Sequence, residues 1–481
     1  MTEDLFRKRL DNLIDLRHPL AVLSRTIDWQ SIENRLAPVF AHTERDGTLV
    51  EEHDLFGSHN AVHNAGVSNA GRPRLPIRLM VALLYLKHLY NLSDEALVEQ
   101  WAENVYMQYF SGMEHFTPAL PCDATQIGRF RTAIGEEGVE ELLRLTIETA
   151  RKAGVLKKTD CAQVVVDTTV QEKAIAHPTD SKLLEKARGK LVTLAKAVGI
   201  KCKQTFIKES KRLVRKASGY AHARQYKRLK RAIKRQRTIV GILIRELERK
   251  AAVLNQQAQE QVHQGMQLVK RLYTQRPQDK DKLYSLHAPE VECISKGKAR
   301  KRYEFGVKAS LVTSLKTSLV LGARTYPGNP YDGHTLKDQL QQTNTLLEAL
   351  GVSPQTAVVD LGYRGKDIEA ELPDMEILHR GKRSSMSKQQ RTWLKRRQSI
   401  EPIIGHLKAD NRMDICHLKG ATGDALHTLL CACGFNIRWL LNRIHRFKAP
   451  NPKAPSFLFD PGHWLSWLVA MRQPMIAHCW A

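Results

Sequence analysis

The sequence of 481 residues has no apolar run approaching the roughly 20 residues needed to cross a bilayer; stretches such as Leu429–Phe435 fall well short. Met1–Asn12 mixes charged and apolar residues, so no secretory leader is expected. The eight cysteines, at 122, 161, 202, 293, 416, 431, 433 and 479, form no Cys-x-x-Cys pair, and a chain of this length needs no disulfide staples. A reduced, cytosolic setting follows. No internal repeat is visible. With 42% apolar and 26% charged residues the composition is globular, which excludes wholesale disorder. The length allows two to four domains.

What the chain has in excess is positive charge. Lysine and arginine number 75 against 50 acids, a formal net charge of +25. Residues 181–280 alone hold 27 Lys/Arg and 6 Asp/Glu, a net of +21. Such a block suits a polyanion such as nucleic acid. A solvated helical face is the plainer alternative.

Residues 1–150 read as helical. Leu79, Leu83, Leu86 and Tyr90 recur at helical spacing, Ser93 can cap a helix whose first turn is acidic, and Asp123–Thr125 can start another. Short helices joined by tight turns suit a helix-turn-helix module as well as any small bundle. At Gln163–Val170 a β-branched strand begins, interrupted by Asp167. From Ser181 to Arg276 the pattern turns helical, basic and free of proline, with Thr179 or Asp180 as the expected cap. Leu229, Ile233, Val240, Leu243 and Leu247 share one face of a long amphipathic helix or helical hairpin.

Strand texture returns at Tyr303–Val312 and Ser318–Thr325, a hairpin, followed by the loop Pro327–Gly333 and a helix over Thr335–Leu350 ended by Gly351. Thr356–Asp360 and Met375–His379 are two more strands, Ser387–Lys408 a basic helix, and Asp424–Arg446 an apolar one. Without the basic block the region from 163 is a mixed five-stranded sheet flanked by helices.

Three acids stand out. Asp167 interrupts a strand, Asp360 ends another and Glu401 lies on the basic helix. An acid in a buried strand is costly unless paired or metal-bound. Residues at the carboxyl ends of strands in an open sheet converge on one crevice. Three carboxylates from two strands and a helix can hold two divalent ions such as Mg²⁺, roughly 3.5–4 Å apart. Arg397, Glu401 and Lys408 stand four and seven residues apart, on one helix face, with Pro402 expected to kink it. The alternative is an ordinary Arg397–Glu401 surface pair.

These pieces resemble the DDE transposases of bacterial insertion sequences, in the large group that includes insertion sequence five. The likeness rests on Val164–Val170 with Asp167, on His177–Ser181, on Val358–Gly365 with Asp360, and on Arg397–Lys408. The family's Tyr-x2-Arg-x3-Glu-x6-Lys signature is kept at Arg397, Glu401 and Lys408, while Leu394 stands at the tyrosine position with Trp393 beside it. Asp360 and Glu401 are close in sequence, so the large insertion falls between the two aspartates.

The resemblance implies an α/β ribonuclease-H-like catalytic domain over 160–180 and 290–446. It would be interrupted by a basic helical insertion (181–285), preceded by an all-α N-terminal DNA-binding domain (1–150) and followed by a tail (447–481). It implies a DNA transposase that binds terminal inverted repeats, cleaves DNA and transfers the strand to target DNA, with Asp167, Asp360 and Glu401 holding two Mg²⁺ or Mn²⁺ ions. Arg397, Lys408, Arg364, Arg72, Arg74, Arg129 and Arg131, with Arg78, are the expected DNA contacts. Tyr220, His222 and Tyr226 in the insertion either meet DNA or pack between helices. A homodimer or larger assembly on DNA, in the cytoplasm near the nucleoid, with no membrane partner, completes the expectation. The rival functions are a structure-selective nuclease and a DNA-binding regulator that no longer cuts. Cys416-His417 and Cys431-x-Cys433 are poorly spaced for zinc, and buried thiols are expected there. His334 either faces the active site or caps its loop, and Asn436 and Arg438 are further candidates for phosphate contact.

Overall fold

The β-branched run at 163 extends to Lys173 and forms the central strand β1 (Gln163–Lys173) of a mixed sheet. The computed structural model describes residues 8–40, 75–276, 278–295, 302–365 and 372–448. On one side β1 runs antiparallel to β3 (Tyr303–Ser314), with Asp167 opposite Leu311. Both β2 (Glu292–Ser295) and β4 (Val320–Tyr326) pair with β3, at different heights. On its other side β1 runs parallel to β5 (Thr356–Val358) and, farther along, to β7 (Ile415–Cys416); β6 (Glu376–Leu378) lies parallel beyond β5. The sheet therefore has seven strands among the described residues, not five. The two unforeseen strands, β2 and β7, are four and two residues long, too short for an alternating pattern to announce them. Gly306 is required where β3 crosses β1, because a Cβ there would stand 1.9 Å from the Gln171 carbonyl oxygen.

Helices α1 (Pro19–Thr26), α2 (Trp29–Leu36), α3 (Ile77–Tyr90), α4 (Asp94–Glu103), α5 (Val105–Phe110) and α6 (Ala124–Lys152) precede the sheet. Ser93 accepts from the Ala96 amide and Asp123 from the Thr125 amide, so both expected caps form. Leu79–Leu89 of α3 are buried without exception, Lys87 and His88 included. A helix apolar all round needs partners all round. Here they come from α6 and from the last helix, α14 (Gly420–Lys448), which also packs on β4. Consequently one apolar cluster runs from Leu20 through α3, α6 and the sheet to Ile444, and the N-terminal helices share their core with the strands.

Between β1 and β2 the chain leaves the sheet for α7 (Asp180–Ala197), α8 (Ile207–His222), α9 (Tyr226–Ala251) and α10 (Gln256–Thr274). Thr179 caps α7, accepting from the Lys182 amide. These helices bury a separate cluster, including Leu184, Leu191, Val240, Leu243, Leu247, Val262 and Val269. At the return to the sheet, Lys173 at the end of β1 meets Glu290 and Asp424, 2.8 Å from each, in a largely buried triad. Burial alone would lower the Lys173 pKa, but bonds to Asp424 and Glu290 overcome this and raise it. After β4 come α11 (Leu336–Leu347), then α12 (Lys388–Arg396) and α13 (Ile400–Asp410), the latter two joined by a 3-10 turn at Arg397–Ser399. Pro402 explains the break, since it cannot donate to the Gln398 carbonyl and is tolerated in the first turn of α13. Among the described residues no helix is long and apolar enough to cross a membrane.

Candidate active site

Parallel pairing of β1 and β5 sets two of the three acids side by side. Val165 is level with Val358, so Asp167 and Asp360, each two residues further on, emerge at the same edge of the sheet. Glu401 comes from the first turn of α13. The group they share is the Arg397 guanidinium. It lies 3.9 Å from Asp167, 3.8 Å from Asp360 and 3.8 Å from Glu401. The Asp360 and Glu401 oxygens are both measured from the same nitrogen, so they lie no farther apart than twice that separation.

Exposure separates the acids from the arginine. The Glu401 side chain is 65% exposed and that of Asp360 51%, against 21% for Asp167 and 8% for Arg397. The carboxylates line an opening and the cation lies beneath them. Arg397, expected to contact DNA, is buried and faces the three carboxylates. Lys408 is half-buried on the same helix, and Arg364 and Arg129 are exposed. Leu394, at the signature's tyrosine position, is 9% exposed and packs with Val165, Val358 and Ile400 beneath the acids, so it serves the core.

Several other expected contacts fall elsewhere. Arg131 is buried, 3.6 Å from Asp94, which also holds Lys87 at 2.6 Å. Its charge is taken up inside the helical core, and it is not a surface contact. Arg78 lies over the Trp29 ring and donates to the Ser24 hydroxyl. Arg72, Arg74 and the tail from residue 449 lie outside the described residues. Asn436 is fully buried, bonding Val320 and Thr146, which removes it as a phosphate contact; Arg438 donates to the Leu89 and Asp410 carbonyls. In the insertion Tyr226 is 60% exposed and His222 exposed, so the packing alternative fails for both.

A fourth acid borders the three. Asp332, in the loop after β4, accepts from the Thr168 hydroxyl at 3.0 Å and from Lys308 at 2.7 Å. Its carboxylate is close enough to Gly362 that a Cβ there would stand 3.2 Å away, so this loop walls the Asp360 side of the site. Burial pushes the Tyr363 phenol well above its ordinary pKa, and the nearby charges of Asp167 and Asp332 push the same way. In sequence Asp332 looks like any acid in a Pro/Gly turn. Only the pairing of Val170 with Lys308 across β1 and β3 carries the lysine to it. His334 is exposed, its ring edge-on to Tyr331, and its amide closes the loop on the Tyr331 carbonyl.

The convergent groups are carboxylate oxygens open to solvent, the donor set hard divalent cations prefer. Comparison with known proteins agrees with this chemistry. The family described as "Transposase domain (DUF772)" matches residues 8–133, and that described as "Transposase DDE domain" matches residues 273–437. The second span holds Asp360 and Glu401; Asp167 lies between the two spans, on the far side of the insertion. A protein of Rhizobium meliloti, described as uncharacterized protein ORF8 in the nfe locus, is 41% identical over 223 residues, 46% of this chain and 95% of that protein. No solved structure matches. Matches to two transposase domains, a close relative and three converging acids make one consistent set: the chain belongs to the DDE transposase family of insertion sequences.

Proposed function

We propose that the protein binds the terminal inverted repeats of an insertion sequence, cleaves DNA at the element ends and joins the freed end to target DNA. The observation that carries this reading is the approach of Asp167, Asp360 and Glu401 to the single Arg397 guanidinium. The strand order β4-β3-β1-β5-β6, an antiparallel three-strand meander followed by two parallel strands, supports a ribonuclease-H-like catalytic fold.

Asp167, Asp360 and Glu401 would hold two Mg²⁺ or Mn²⁺ ions. Bound there, the ions supply activation of the attacking oxygen and charge stabilisation at the phosphate in transit. The chain's own task is placement. β1 and β5 hold two carboxylates in register, and the 3-10 turn ahead of Pro402 brings Arg397 and Glu401 to them. Arg397 offsets part of the mutual repulsion of three acids from below. Lys408, Arg364 and Arg129 are left as candidates to meet phosphates, alongside the exposed basic face of α8 and α9, which would grip flanking or target DNA. Two ends must be joined, so the working form is a homodimer or larger assembly on DNA.

The test uses the DNA flanking the gene as a paired-end substrate, with Mg²⁺ or Mn²⁺. Cut ends followed by a joined product are expected, and both should vanish in Asp167→Asn, Asp360→Asn and Glu401→Gln. Cut ends without joining would indicate a nuclease, and binding without turnover a regulator. Cleavage that survives all three substitutions would overturn the site.

A further inference from the structure

At the far end of α13 from Glu401 lies a second cluster, of different chemistry. His88 from α3 and His427 and Cys431 from α14 bring one ligand atom each within 4.8 Å of one another, and all three residues are buried. His427 and Cys431 are four residues apart on one helix, hence on one face. We propose that these side chains bind a borderline-soft divalent metal of the zinc class, as a structural ion independent of the carboxylate site.

The donor set is nitrogen and thiol sulfur, which zinc prefers and Mg²⁺ does not. Cys431 Sγ stands 3.6 Å from His88 Nδ1. Ligands at about 2.3 Å (sulfur) and 2.0–2.1 Å (nitrogen) around a tetrahedral zinc are separated by about that distance. The same His88 nitrogen lies 3.4 Å from the Asn411 backbone carbonyl, a long contact; an ion bound at Nδ1 would replace it, with the ring's hydrogen carried on Nε2 instead. The His427 ring keeps one nitrogen available. Its Nε2 lies 2.8 Å from the Arg412 carbonyl, which can only accept, so Nε2 carries the hydrogen and Nδ1 keeps the lone pair. A fourth donor is at hand in this segment. Asn411 donates its amide to the His88 carbonyl at 2.8 Å, while its Oδ1 is buried without a hydrogen-bond partner among the described residues. Asn411 Oδ1 or a water would complete four-coordination.

Binding would replace the Cys431 S–H bond with S–Zn and release one proton to solvent. The cations facing the cluster, Lys87, Arg131 and Arg412, oppose a further positive charge, but Asp94 offsets the first two at 2.6 and 3.6 Å. The ion would staple α3 and α14 at the segment where α13 ends. Spacing along the chain alone predicts an inert thiol at Cys431; the partners that change this are 343 and four positions away.

The full-length protein, purified under reducing conditions, is equilibrated with zinc, passed over a chelating resin and assayed by elemental mass spectrometry. About one zinc per chain should remain. Cys431→Ser and His427→Ala should each weaken retention at least ~10-fold, whereas Asp360→Asn should leave it unchanged. In case the variants misfold, the unaltered protein is loaded with Co²⁺, which should give a thiolate-to-metal charge-transfer band. Absence of that band, or retention below about a tenth of an equivalent, overturns the proposal and leaves an S–H···N contact in an ordinary core. Zinc loss in Asp360→Asn but not in Cys431→Ser would overturn it equally.

Discussion

Two helical regions carry arginine and lysine, and they use them in opposite ways. In the helices before the sheet, Arg131 and Lys87 are drawn inside to meet Asp94, and Arg78 lies on Trp29. In the insertion, Lys208, Lys211, Arg212, Arg215 and Lys216 of α8 and Lys227, Lys230, Arg231 and Lys234 of α9 are all exposed. A basic residue facing a shared core contributes to packing. Those on the outer faces of a thin bundle with a small core are left to solvent, where they build a field for a polyanion, although Arg188 of α7 is buried against Glu185. Charge density along the chain thus locates an interface only where the fold leaves that charge bare.

The largest effect separates chemistry from both regions. Asp167→Asn, Asp360→Asn and Glu401→Gln should each reduce cleavage by about 10³-fold or more while leaving DNA retention in a gel-shift assay intact. Next is the buried triad where the insertion rejoins the sheet. Lys173→Met leaves Asp424 and Glu290 facing each other without a counter-ion, and should cost about 3–5 kcal/mol in chemical denaturation. The comparison itself is sharpened by exchanging charges in each region. Replacing Lys227, Lys230, Arg231 and Lys234 with glutamine should flatten the log–log salt dependence of DNA binding by about 0.9 for each phosphate no longer neutralised. Arg131→Gln should leave that slope alone and lower the melting temperature instead. Equal slope changes from both would dissolve the distinction. The smallest effect is Ser93→Ala, which removes the cap of α4 and should cost about 1 kcal/mol, read by thermal unfolding.

The parts of the fold visible in sequence are those set by neighbours a few residues away. The β-branched run at Gln163–Val170 is a strand, Ser93 and Asp123 are caps, Pro402 breaks its helix, and the proline-free basic block is helical. The three candidate acids are visible in sequence too: Asp167 and Asp360 interrupt or end strands, and Glu401 lies on a basic helix. Asp332 is not, since its partners, Lys308 and Thr168, reach it through sheet pairing. Strands β2 and β7 were missed because they exist only as additions to longer strands already in place.

By itself the order of residues determined the type of the longer elements, several helix starts and the uneven spread of charge, all consequences of backbone sterics and side-chain polarity acting over short separations. Only tertiary structure decided that Arg397 lies under the acids, that Arg131 is enclosed, and that His88 meets Cys431. Those outcomes depend on which surfaces bury one another, and burial is shared among segments hundreds of residues apart, so no local pattern could carry it.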